Sequence, residues 1–173
     1  SRGGDTMRKE DEKVLRALTD WQLMGLCIER EAGGEPREGR IGVGTVILER
    51  VEHRSWDGKT IKDVILWPWQ FSWTMPEAGE KYYEEAVRIA KDWTEEYRKR
   101  VSLQECAAIA TCLIQGTVSR DSDIAAGHCC QYVATRYRKY TDEHPDEKGT
   151  RWWKGMRLLK TIDGPKGGHE FYV

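Results

Sequence analysis

Arg30-Glu31-Ala32-Gly33-Gly34-Glu35-Pro36 separates two apolar-rich stretches and leaves a carboxylate at the break. Upstream, Asp20 to Ala32 predicts a helix. Thr19 or Asp20 can cap it, and Trp21, Leu23, Met24, Leu26, Cys27 and Ile28 cover most of its circumference, so it should be largely buried. The Gly pair closes it, because glycine enters the left-handed region without steric penalty. Pro36 starts a second helix reaching about His53, since the first helical position has no use for an N–H. Glu31 therefore lies on a last helical turn, at the negative end of the macrodipole. There the ionised form is disfavoured and the pKa rises. A carboxyl kept protonated near neutral pH is what a general acid requires. A solvated Glu at a helix end would have the same local sequence, so the rest of the chain must decide.

The chain has 173 residues, enough for one domain with a sizeable core. Charged residues make up 33% and the net charge is −1, so no global basic field favours nucleic acid. Arg98-Lys99-Arg100 and Arg136 to Lys139 read as solvated faces. No apolar run approaches the roughly 18 residues of a membrane span. Ser1 to Lys13 is polar and shows no signal peptide; residues 1–13 are expected to be a flexible segment and 14–173 a single catalytic domain. Cys27, Cys106, Cys112, Cys129 and Cys130 lack the spacing of a disulfide framework and read as reduced, mostly buried thiols. Eight Trp and seven Tyr against two Phe favour half-wet surfaces of the kind that stack on sugars, although core and rim packing must account for most of them.

In the second helix, Gly42 and Gly44 forgo helix propensity and are expected to admit another backbone, that of the first helix. Thr60 caps a short helix from Ile61 to Ile65, and Gln70 to Thr74 reads as extended. A long helix is expected over Glu80 to Arg100. Ser102-Leu103-Gln104-Glu105 reads as a capping box for a helix over Leu103 to Gln115, ended by Gly116. Ile124 to Val133, Leu158 to Ile162 and Glu170 to Val173 are strand candidates. The sum is a mostly helical α+β fold with its core in the first four helices.

Cys27 to Gly39, continuing through Ile41 to Val51, resembles the opening motif of the cell wall hydrolase family of the germination-specific, spore-cortex-lytic enzymes. Val64 to Ser72, Ile124 to Tyr132, Thr150 to Trp153, and Ile162-Asp163-Gly164 with Gly168-His169-Glu170-Phe171-Tyr172 are similar, in order, to its later motifs. Arg30 departs from the pattern, where a small residue usually precedes the catalytic Glu. The charged insert around Glu80 to Arg100 and the pair Cys129-Cys130 are also unusual. The resemblance implies a lysozyme-like domain with a few short antiparallel strands beside the cleft, cleavage of the peptidoglycan glycan strand, and Glu31 as the catalytic acid.

Glycosidic cleavage usually takes two carboxylates flanking the bond, and Glu35 is the nearest second one. The resemblance instead points to a lytic transglycosylase, in which one Glu acts as acid and then base at the MurNAc–GlcNAc β-1,4 bond. Glu35 then binds sugar or holds the loop by hydrogen bonds. A hydrolytic muramidase and a noncatalytic wall-binding module are the alternatives. Gln70, Phe71, Ser72, Trp73 and Thr74 are expected to form a cleft wall, with His128 and Tyr132 facing it. His169 is expected to anchor the terminal strand. His128, Cys129, Cys130, His144 and His169 match no paired zinc spacing, so neither metal nor cofactor is expected. The expected partner is bacterial peptidoglycan, with no nucleic acid and no membrane span. The expected state is a monomer made in the cytoplasm and acting on the wall, released through a holin as for a phage-type endolysin.

Overall fold

A computed structural model describes residues 7–173. Helices α1 (Lys9–Arg16), α2 (Asp20–Ala32), α3 (Arg37–His53) and α4 (Ile61–Leu66) come first, then α5 (Glu80–Lys91), α6 (Trp93–Lys99), α7 (Val101–Gln115) and α8 (Ser122–Ala126). Strand β1 (Gln131–Ala134) runs into α9 (Thr135–Glu143), and β2 (Leu158–Ile162) and β3 (His169–Tyr172) follow. The strands form an antiparallel sheet in the order β1-β3-β2, with Tyr132 opposite Phe171 and Ala134 opposite His169. The domain is mostly helical α+β, as the sequence predicts.

The buried helix α2 sits at the centre. Thr19 caps it in a full capping box with Gln22, and Leu23, Met24, Leu26, Cys27 and Ile28 are all solvent-inaccessible. Its main neighbour is α7, which the sequence placed outside the expected four-helix core. The two backbones approach so closely that a methyl group on Gly25 would fall 2.7 Å from the Ala107 Cα. Gly42 and Gly44 make room for side chains rather than backbone: Gly42 meets Phe171 and Ile162, and Gly44 meets Leu113, Ile28 and Met24. A second, smaller core of Val46, Ile124, Cys129, Ile162 and Phe171 fastens the sheet to α3.

Several local readings are corrected. Pro36 is the cap of α3 rather than its first residue. The predicted long helix breaks at Asp92 (φ −121°, ψ 46°) into α5 and α6. Helix α7 starts at Val101, so Ser102 lies inside it and its hydroxyl donates to the Gly33 carbonyl at 3.2 Å instead of capping. The strand expected from Ile124 begins only at Gln131, because Asp121 accepts from the Asp123 and Ile124 N–H groups and starts α8. Gln70 to Thr74 is not extended; Ser72–Thr74 is a 3-10 turn. Of the segment expected to be flexible, residues 1–6 lie outside the described residues. Lys9 to Lys13 belong to α1, whose buried Asp11 accepts from the Tyr83 hydroxyl at 2.5 Å. No described helix is long and apolar enough to cross a membrane.

Candidate active site

The last turn of α2 carries Glu31 to the edge of a cleft of about 300 Å3. The cleft is also lined by Glu35, Tyr82, Ala134, Arg136, Lys166 and His169. The Gly pair beyond Ala32 serves space rather than left-handed backbone. Gly33 remains helical (φ −60°, ψ −30°), and a methyl group on Gly34 would strike the Lys166 side chain at 2.7 Å. The exposed end of α2 is satisfied from outside: Arg40 Nη2 donates to the Gly33 carbonyl at 2.6 Å.

Glu31 is half-buried and accepts a hydrogen bond from the Tyr132 hydroxyl at 2.5 Å. Burial raises its pKa above the usual carboxylate range, against the opposing pull of the Tyr132 bond and the buried Arg50 charge. Tyr132 sits in β1, and its ring meets the His169 ring edge-on at 5.3 Å. Burial holds the His169 imidazole below its usual pKa, so it is neutral near pH 7. That ring bonds the Glu31 backbone carbonyl, while its Nδ1 is buried without a partner. The closing strand thus braces the same turn of α2 that bears the acid.

Glu35 shares the cleft but is only 6% exposed. Its carboxylate is pressed under Gly164, where a methyl group would fall 1.8 Å from Oε2, and that oxygen has no partner. The arrangement therefore offers one half-buried, protonation-prone carboxyl at the cleft and a second carboxylate withdrawn beside it.

The other expected site residues lie elsewhere. Phe71, Trp73 and Thr74 are buried in the core, and the Thr74 hydroxyl donates to the Phe71 carbonyl at 2.7 Å. Ser72 is exposed, and Gln70 accepts from Arg54 Nη2 at 2.9 Å. None of them lines this cleft, because the 3-10 turn points its aromatic rings inward. Phe71 instead receives the Arg50 guanidinium over its face at 5.1 Å. His128 lies at the far end of α3, beside Glu49 and His53.

Tyr82, Arg136 and Lys166 were not legible as site residues. Tyr82 comes from α5, in the charged stretch, and donates to the Arg30 carbonyl. Its pKa is pushed up to about 12, mainly by burial, so it remains a neutral donor. Arg30 lies 5.0 Å above the Tyr82 ring and pairs with Glu29 at 2.6 Å and Glu85 at 3.5 Å.

Residues 34–163 match the family described as cell wall hydrolase. This chain belongs to the cell wall hydrolase family. It is an enzyme that acts on the cell wall. No curated protein and no solved structure matches it. The matched stretch contains Glu35, Tyr82, Tyr132 and Arg136; Glu31 and His169 fall just outside its two ends.

Proposed function

We propose that this cell wall hydrolase cleaves the peptidoglycan glycan strand at the MurNAc–GlcNAc β-1,4 bond, as a lytic transglycosylase with Glu31 as the sole proton-transfer residue. The observation that carries the reading is the state of Glu31: half-buried at the cleft, with a raised pKa, and held by Tyr132. Protonated Glu31 gives its proton to the bridging oxygen as the glycosidic bond breaks. The resulting carboxylate then removes the proton of the muramyl 6-hydroxyl as that oxygen closes on the anomeric carbon. The Tyr132 hydroxyl steadies the carboxylate between the two steps. Neutral His169 fixes the backbone beneath it. Arg136 and Lys166 bring positive charge to the rim, suited to the carboxylates of wall peptide stems.

Hydrolysis is the second reading, favoured by the unpartnered Glu35 oxygen in the same cleft. A retaining or inverting hydrolase needs that second carboxylate turned toward the sugar. The low exposure of Glu35 supports the one-carboxylate reading. Mass spectrometry of purified peptidoglycan after digestion tests the choice. Anhydro-muramic ends support transglycosylation and reducing ends support hydrolysis. Intact glycan with cut peptides would overturn both.

A further inference from the structure

We propose that Glu49, His53 and His128 form a binding site for a divalent transition metal, with zinc the best match to a carboxylate-and-imidazole donor set. Glu49 and His53 are four residues apart on α3 and so share one face of the helix. Glu49 is 2% exposed, yet its Oε1 is 3.0 Å from His128 Nδ1 and 3.7 Å from His53 Nε2. The three ligand atoms all lie within 4.8 Å of one another. A tetrahedral zinc with bonds of about 2.0–2.1 Å separates its ligand atoms by roughly 3.3 Å. The two Glu49 distances bracket that value, so small side-chain rotations bring the donors onto one ion.

The surroundings fit a ligand role. His128 has left-handed backbone (φ 48°), a conformation unfavourable for a residue with a Cβ, and it sets the imidazole against His53 with ring centroids 3.8 Å apart. The other Glu49 oxygen, Oε2, is occupied by Arg120 at 2.7 Å, and Arg120 also holds Glu52. Glu49 is therefore oriented to offer Oε1 alone, the kind of outer-sphere support that fixes a carboxylate ligand. Water completes the fourth position.

The ion would act as a clamp. His128 leads into Cys130, whose carbonyl accepts from Arg50 Nε at 2.8 Å, and then into β1 with Tyr132. Fastening His128 to α3 fixes the start of the strand that carries the Tyr132 hydroxyl to Glu31.

Calorimetric titration of zinc chloride into the full chain tests the site, with cobalt(II) absorption as a second probe. The expected result is one equivalent bound with Kd at or below about 10 μM, and a zinc-dependent rise in melting temperature. His128→Asn tolerates the left-handed backbone but is a poor ligand, and His53→Ala removes an exposed donor. Each should weaken binding at least about 100-fold, beyond the 10–100-fold typical of losing an outer-sphere partner, with the far-UV spectrum unchanged. Binding weaker than about 10 μM overturns the proposal. So does binding that survives both substitutions, or a cobalt spectrum with thiolate charge transfer, which would place the ion on Cys129 or Cys130.

Discussion

Glu31→Gln removes one transferable proton and leaves nearly everything else in place. The amide is isosteric with the carboxyl, and its oxygen can still accept from Tyr132. The cleft walls, including Tyr82 and His169, do not depend on the charge. A positioned general acid contributes about 10²–10⁴-fold, or roughly 3–5 kcal/mol of barrier at 1.36 kcal/mol per decade. The upper part of that range is expected here, because Glu35 is withdrawn under Gly164 and cannot readily substitute. Wall clearing and wall co-sedimentation should be measured on the same preparations. The variant should sediment with walls like the wild type while clearing them about 10³-fold more slowly. A second readout follows from the raised pKa. Below the unfolded value, near 4.3, Glu31 is protonated in both states and carries no penalty. As pH rises through the higher folded value, the native state resists ionisation and stability is lost. Glutamine has no such loss, so the melting temperature of the variant relative to wild type should increase from pH 4 to pH 7. Clearing at more than a tenth of the wild-type rate would refute Glu31 as the acid. A flat or reversed stability difference would refute its burial.

Tyr132→Phe removes the bond that favours ionised Glu31, so the basic limb of the pH–rate profile should move to higher pH. The rate at the optimum should fall about 10-fold, as expected from the lower range for a charged hydrogen bond; a limb moving to lower pH would contradict the assigned sign. Gly25→Ala forces a methyl group against the Ala107 backbone. Overpacking of about 1–3 kcal/mol should lower the melting temperature by roughly 2–12 °C in a domain of this size, and an unchanged melting temperature would show that α2 and α7 can separate freely. Arg138→Met leaves the buried Glu170 without its two Arg138 bonds, of 2.9 and 2.7 Å. The expected loss is about 3 kcal/mol at pH 7. Arg138 lowers the folded Glu170 pKa, so the stabilisation is present above the unfolded value and fades as pH falls through the folded one; urea unfolding at pH 7 and pH 3 should show the deficit shrinking in acid. A double-mutant cycle on Arg30→Ala and Tyr82→Ala, which removes both the guanidinium and the ring it stacks on, should return a coupling of about 0.5–2 kcal/mol, and strict additivity would show that the two act independently.

Local chemistry explains which parts of the fold were legible. Thr19, Gly116 and the apolar girdle of α2 are decided within a few residues of themselves, and the sequence locates them within a residue or two. The dependence of α2 on α7 arises from a contact between Gly25 and Ala107, and no periodicity in either segment encodes the partner. Gln70 to Thr74 alternates polar and aromatic residues as a strand does, yet Phe71 and Trp73 are both drawn into the core because a 3-10 turn does not impose alternation. In the site, Glu31 and Tyr132 were each readable from their segments, but their pairing spans 101 residues and exists only once the sheet docks on α3.

Arg30 and the charged stretch from Glu80 to Arg100 meet in one contact. With a small residue at position 30, the end of α2 would leave open the face that Tyr82 and Glu85 now occupy. Here the Arg30 side chain is 6% exposed, stacked over Tyr82 and paired with Glu29 and Glu85, while the Tyr82 hydroxyl closes on the Arg30 carbonyl. Helix α5 is thereby fastened to the residue immediately before the proposed acid and supplies an aromatic wall to its cleft. Tyr82 lines the cleft beside Glu31, and burial is the main cause of the raised Glu31 pKa. The Arg30 side chain thus holds α5 against the end of α2, and the same contact sets Tyr82 at the wall of the cleft that carries the proposed acid.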